Sequence, residues 1–215
     1  MPGTPGGLVA AVYTLGCKLN QLESESISHA FGKEGFKVIS WDDERALDWD
    51  YCLCIINTCT VTSKSEQKAR RLIRKVLRDF PHALIIITGC YAQMEKEALG
   101  TLDLANPKRL IVIPGGQKNR ILELPRFLST LNLSSITLHE LSSLLVSWAE
   151  GENSLVKDNT FCFSPGEFTF HSRAFLKIQD GCDNQCSYCR VRLARGKSRS
   201  IAPEEALRTL RSLEE

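Results

Sequence analysis

Residues 83–90 read ALIIITGC, an unbroken apolar run rich in isoleucine that stops at a glycine and a cysteine. An apolar run of that length bounded by a turn residue is the pattern of a strand buried on both faces of a parallel sheet. Two earlier stretches end the same way: Leu8–Thr14 runs into LeuGlyCys17, and Tyr51–Asn57 runs into ThrCys59. Shorter runs at Phe36–Ile39 and Leu110–Ile113 complete a set of five strands. Between them, residues Asn20–Glu34, Ser63–Phe80 and Tyr91–Leu99 carry helical periodicity. Strand–helix–strand alternation predicts right-handed crossovers and a three-layer α/β domain with a parallel sheet.

Working outward, Gln117–Leu128 predicts a further helix, and residues 129–171 lose clear periodicity and read as an edge helix and linker. A strand is expected at Ala174–Gln179, then a cysteine-rich loop, then a helix from Pro203 with Glu204 and Glu205 in its first turn. Proline at the first helical position and acids behind it suit a helix start. The 215 residues are 43% hydrophobic and 24% charged, an ordinary soluble composition for one or two domains. No apolar run approaches the roughly 20 residues of a membrane span. The start lacks the charged n-region of a signal peptide, so a cytoplasmic protein is expected. The net charge of +2 does not by itself mark a nucleic-acid binder, which leaves that question to local clusters.

Nine cysteines are many for this length, and in a reducing compartment clustered thiols are metal or redox ligands. Cys17, Cys59 and Cys90 each follow the carboxyl end of a predicted strand, the edge at which open parallel sheets place their ligands. Gly16 and Gly89 precede two of them and allow sharp turns. Three thiols without an obvious fourth ligand suit an iron–sulfur cluster with one open iron, whereas a structural zinc closes with four ligands. Cys52 and Cys54 share one face of a strand and read as core; Cys162 falls in the linker and has no assigned role.

GlyCysAspAsnGlnCysSerTyrCys, residues 181–189, spaces Cys182, Cys186 and Cys189 as Cys-x3-Cys-x2-Cys. Such a loop can wrap a [4Fe–4S] cube, leaving one iron open to chelate S-adenosylmethionine and generate a 5′-deoxyadenosyl radical. The competing reading is zinc, with a remote fourth ligand such as His171.

The segments TLGCKLNQLES, NTCTVT, TGCYAQ and RAFLKIQDGCDNQCSYC together resemble the methylthiotransferase family of radical S-adenosylmethionine enzymes, and TLGCKLNQ is most similar to its threonylcarbamoyladenosine tRNA branch. The resemblance implies an auxiliary [4Fe–4S] cluster on Cys17, Cys59 and Cys90 and a radical-generating one on Cys182, Cys186 and Cys189. It also implies S-adenosylmethionine as cofactor, a low-potential reductant, and tRNA as substrate, with methylthiolation at C2 of the adenosine beside the anticodon. Residues 1–128 would be the auxiliary-cluster domain, 129–171 an edge helix and linker, and 172–215 the start of a partial barrel. One βα unit fits in that last span, where the family has about six followed by an RNA-binding β-barrel. A truncated, inactive chain is therefore expected. The family's usual IPYARG is here RVRLARG.

Arg190, Arg192, Arg195, Lys197 and Arg199 crowd the segment after the second triad and are candidate RNA contacts. Lys64, Lys68, Arg71, Lys75 and Arg78 recur at helical spacing, on the face opposite Ala69, Leu72, Ile73 and Val76. That face is either solvated or attracts phosphate. Three alternatives stay open: action on isopentenyladenosine tRNA, a non-catalytic iron–sulfur protein, and a zinc-stabilised RNA-binding module.

Overall fold

The computed structural model describes residues 8–40, 51–102, 109–151, 161–163, 168 and 173–214. Its centre is a parallel sheet of strands β1 (Leu8–Thr14), β2 (Lys37–Ser40), β3 (Tyr51–Thr58), β4 (Ala83–Gly89) and β5 (Leu110–Val112), in the order β2-β1-β3-β4-β5. The long central pairings keep one register throughout, with Leu53 opposite Ala10 on one side and Leu84 on the other. The five strands fall where the apolar runs place them.

Alternation along each strand divides the core into two layers. Leu8, Ala10, Val12, Leu53, Ile55, Leu84 and Ile86 point to one face, where they meet Ile27 and Phe31 of helix α1 (Lys18–Lys33). Val9, Ala11, Cys54, Ile56, Ile85 and Ile87 point to the other, against Ala69, Leu72, Ile73 and Val76 of helix α2 (Ser63–Asp79). Each fully buried Leu or Ile contributes about 1.5–3 kcal/mol by leaving water. After β4 come two short helices, α3 (Cys90–Met94) and α4 (Lys96–Gly100).

The helix expected over Gln117–Leu128 is two pieces: a 3₁₀ stretch, Gly115–Leu122, and helix α5, Leu124–Ser129. Pro125 explains the break, since it has no amide hydrogen to continue a helix yet fits the first turn of a new one. Within the aperiodic span, helix α6 (Leu138–Glu150) starts at a capping box in which Thr137 and Glu140 exchange backbone hydrogen bonds. Its Leu141 and Leu145 join the core on the α1 face.

The strand expected over Ala174–Gln179 is shorter than its apolar pattern suggests. Only Gln179–Asp180 (β6) is extended and paired, antiparallel to Arg199–Ser200 (β7), with the Ile201 amide donating to the Ile178 carbonyl at 3.0 Å. A strand persists where a neighbour takes up its backbone groups, and among the described residues no strand pairs with 174–177. Helix α7 (Val191–Arg195) lies between β6 and β7, and α8 (Pro203–Glu214) follows, starting at the proline as read. Among the described residues no helix is long and apolar enough to cross a membrane.

Candidate functional site

In this sheet order the β1–β2 and β2–β3 crossovers run in opposite directions, opening a crevice at the carboxyl ends of β1 and β3 where such folds bind ligands. Cys17 follows β1 and caps the amino end of α1; Cys59 follows β3; Cys90 follows β4 and is the first residue of α3. The three line one cavity of about 370 Å³, with Cys17 exposed at its rim and Cys59 and Cys90 buried.

Two glycines bring the loops together. Gly16 has φ +113°, and a Cβ there would fall 2.4 Å from the Cys59 Cβ and 2.7 Å from its sulfur. Gly89 has φ +99° and ψ −167°, a region essentially closed to other residues, and its Cβ would meet the Thr58 carbonyl at 2.2 Å. The backbone before Cys17 and before Cys90 therefore rests directly on the Cys59 strand end.

Hydrogen bonds fix the same contacts. The Asn20 amide donates to the Leu15 carbonyl at 2.8 Å and the Thr58 carbonyl at 3.0 Å, tying the Cys17 loop to the Cys59 loop. Thr58 donates its hydroxyl to the Thr88 carbonyl at 2.5 Å and accepts from the Ala92 amide at 3.3 Å, tying Cys59 to Cys90.

The second cysteine loop closes on this site. Gly181, at φ +73°, packs where a Cβ would lie 2.1 Å from the Lys197 carbonyl, and the Cys182 amide donates to the Gly196 carbonyl at 3.2 Å. Cys182 is half-buried and Cys186 exposed; Cys189 is half-buried and lines the same cavity as Cys17, Cys59 and Cys90. Helix α7, which starts just after Cys189, packs against α3, which starts at Cys90.

Beneath lies a buried ionic network. Glu23 of α1, 2% exposed, faces Lys118 at 2.5 Å, Arg195 at 3.0 Å and Lys177 at 3.9 Å. Asp180 faces Lys177 at 2.6 Å and Arg195 at 3.1 Å. Burial pushes the Glu23 carboxyl up, but Lys118 and Arg195 overcome it and hold it at about 2. Burial likewise pushes the Cys90 thiol up, opposed by the positive charges of Arg195 and Lys118. A second cavity, of about 300 Å³, shares Cys90 and Arg195 with the first and is lined also by Lys118, Lys177 and Arg199.

The basic residues after the triad therefore differ from one another. Arg195 is turned inward, with side-chain exposure of 10%. Arg190 pairs with Glu66 and donates to the Thr60 hydroxyl at 3.3 Å, bridging to the Cys59 loop. Arg192 is half-buried and donates to the Asp183 carbonyl at 3.0 Å, while Lys197 and Arg199 are exposed. On α2, Lys64, Lys68, Arg71, Lys75 and Arg78 are all exposed, with Lys75 and Arg78 bonded to Asp79. Cys54 is fully buried in the core on the α2 face. Cys162 is half-buried, and burial pushes its thiol up to about 11. His171 and the Cys52 side chain lie outside the described residues.

Among the described residues no three His, Cys, Asp or Glu side chains converge tightly enough to ligate a single metal ion. A cubane makes a different demand, since each thiolate reaches a separate iron at its own corner. Three cysteines lining one cavity, two of them on loops whose glycines admit no larger residue, fit that group.

Residues 9–108 match the uncharacterized protein family UPF0004. The threonylcarbamoyladenosine tRNA methylthiotransferase MtaB of Treponema pallidum is 35% identical over 247 residues, spanning 94% of this chain and 50% of that protein. The chain is similar over nearly its whole length to one part of the tRNA methylthiotransferases. MtaB of Bacillus subtilis is 32% identical over 208 residues, covering 94% of the chain and 40% of the relative. The tRNA-2-methylthio-N(6)-dimethylallyladenosine synthase of Hydrogenobaculum is 29% identical, covering 94% and 42%. The chain thus spans half or less of the length of these methylthiotransferases.

Sequence reasoning placed Cys17, Cys59 and Cys90 along one edge of the sheet, where they line one cavity, but did not single out Asn20, Glu23, Lys118, Lys177 and Asp180. A signal for the first two was present. Asn20, Ser24, Ile27 and Phe31 form the core-facing stripe of α1, and Glu23 is buried beside them. Polar residues on a buried stripe need partners.

Proposed function

We propose that the chain carries the two iron–sulfur sites of a tRNA methylthiotransferase acting on threonylcarbamoyladenosine next to the anticodon, in the cytoplasm and with a low-potential reductant. Cys17, Cys59 and Cys90 would hold the auxiliary [4Fe–4S] cluster; Cys182, Cys186 and Cys189 would hold the one that binds S-adenosylmethionine. When bound, these groups would supply the sulfur and the radical. The observation that carries the reading is that Cys189 lines the same cavity as the first triad. The chain's own task is to bring the two sites together, exclude water and balance charge. Ligation needs thiolates, and Arg195 and Lys118 favour the charged form of Cys90 against its burial.

In domain terms, residues 1–128 serve the auxiliary site, 172–215 begin the radical domain, and 129–171 join them. The exposed cations of α2, with Arg192, Lys197 and Arg199, are the surfaces offered to tRNA. The dimethylallyladenosine synthases among the relatives support a second substrate reading, on isopentenyladenosine.

Anaerobic reconstitution tests the centre of the proposal. Two cubes give about eight irons per chain. Replacing Cys17, Cys59 and Cys90 together by Ala is expected to remove half of the iron and leave the other cluster's spectrum intact. Loss of all the iron, or of none, refutes two independent sites. Mass spectrometry of tRNA treated with the protein extended to its relatives' length then decides between the two adenosines.

A further inference from the structure

We propose that Arg195 is a positioning residue that holds the second cysteine loop in register on the first cysteine site. The inference rests on the two-site reading above for its purpose, but its geometry stands without any bound group.

Arg195 closes α7, six residues after Cys189. Its guanidinium donates to the Asn20 side-chain oxygen Oδ1 at 2.8 Å and to Glu23 at 3.0 Å, both on α1, and to Asp180 at 3.1 Å on its own unit. Asn20 is the same residue that fastens the Cys17 loop to the Cys59 loop. One planar group thus connects both cysteine loops through directed, charge-assisted bonds. Apolar packing could hold the two units together without burying charge, but it would not fix their register so narrowly. The small Ala194, buried beside Arg195, lets α7 approach α3 and Cys90. Of the other described bridges, Arg190 to Glu66 involves a half-exposed arginine and holds the loop weakly, and Lys177 to Glu23 is long at 3.9 Å. Register matters because a misplacement of about 1 Å between reacting groups can cost roughly 100-fold in rate.

Arg195→Gln isolates this role. It leaves Glu23 paired with Lys118 at 2.5 Å and Asp180 paired with Lys177 at 2.6 Å, so neither carboxylate is orphaned. In the metal-free 215-residue protein, amide hydrogen exchange over residues 181–197 is expected to quicken about tenfold or more, since even one of the three lost charge-assisted bonds accounts for that. Strands β3 and β4 should exchange as before. After reconstitution, iron content should match the parent protein while the spin-relaxation interaction between the two reduced clusters weakens. Arg195→Lys should recover part of both effects, and Arg190→Ala should show neither. Unchanged exchange over 181–197, exchange raised equally in β3 and β4, or an undiminished cluster interaction would each overturn the proposal. A parent protein that binds no iron defeats the cluster reading, and the exchange measurement alone then decides the role of Arg195.

Discussion

Replacing Glu23 by Gln should produce a stability loss that depends on pH in one direction only. Glu23 is 2% exposed, and its carboxyl is held at about 2 against an ordinary value of 4.5. A group with a depressed folded pKa stabilises the fold above its unfolded pKa and loses that contribution as pH falls through the folded value. At about 1.4 kcal/mol per unit, the charged carboxylate contributes on the order of 3 kcal/mol at neutral pH. By pH 3, one unit above the folded value, about 2 kcal/mol of that has been lost. Gln matches the protonated acid in shape and charge. The gap between parent and Glu23→Gln should therefore be about 3 kcal/mol at pH 7, begin to close near pH 4.5, and fall to about 1 kcal/mol at pH 3. Urea unfolding of both proteins across that range measures it. A gap that stays constant from pH 7 to pH 3 would refute the electrostatic account and leave only a packing role for Glu23.

Gly89→Ala forces a Cβ to within 2.2 Å of the Thr58 carbonyl at a φ of +99°, so a loss of roughly 3 kcal/mol or more is expected in thermal or urea unfolding. A neutral result would mean that the Cys59 and Cys90 loops do not rest on each other. Charge reversal at Lys68, Arg71 and Arg74, all exposed on α2, should leave stability unchanged and weaken binding of an anticodon stem-loop RNA. The salt dependence of binding should become shallower by about 2–3 in log–log slope if each contacts one phosphate. An unaltered slope would remove α2 from the RNA surface.

The sheet was legible because a strand buried on both faces has little choice of composition. Ile85, Ile86 and Ile87 declare it regardless of what surrounds them. The cysteines were legible for a related reason: their positions just past those strands follow from chain geometry alone. Strand order was not, since it depends on which crossover turns back, and the crevice beside β1 emerged only with the order. The strand expected at Ala174–Gln179 is realised among the described residues only at its end, because an apolar run does not reveal which of its backbone groups will be paired. Arg195 read as one of five similar cations in a basic segment, and only its distances to Glu23 and Asn20 set it apart. Charge is visible in a sequence, but the direction in which a side chain points is not.

The rim of the first site is held by the main chain. Asn20 and Thr58 grip the carbonyls of Leu15, Thr58 and Thr88, and two glycines set the backbone spacing. None of these bonds uses a cysteine sulfur. The frame is thus separable from the chemistry at its open corner: exposed Cys17 could be exchanged for a histidine or carboxylate with these bonds left in place, whereas buried Cys59, on which Gly16 packs, sets the spacing itself. For a protein engineer, that makes the edge of this sheet a socket with one adjustable corner and the others fixed by packing.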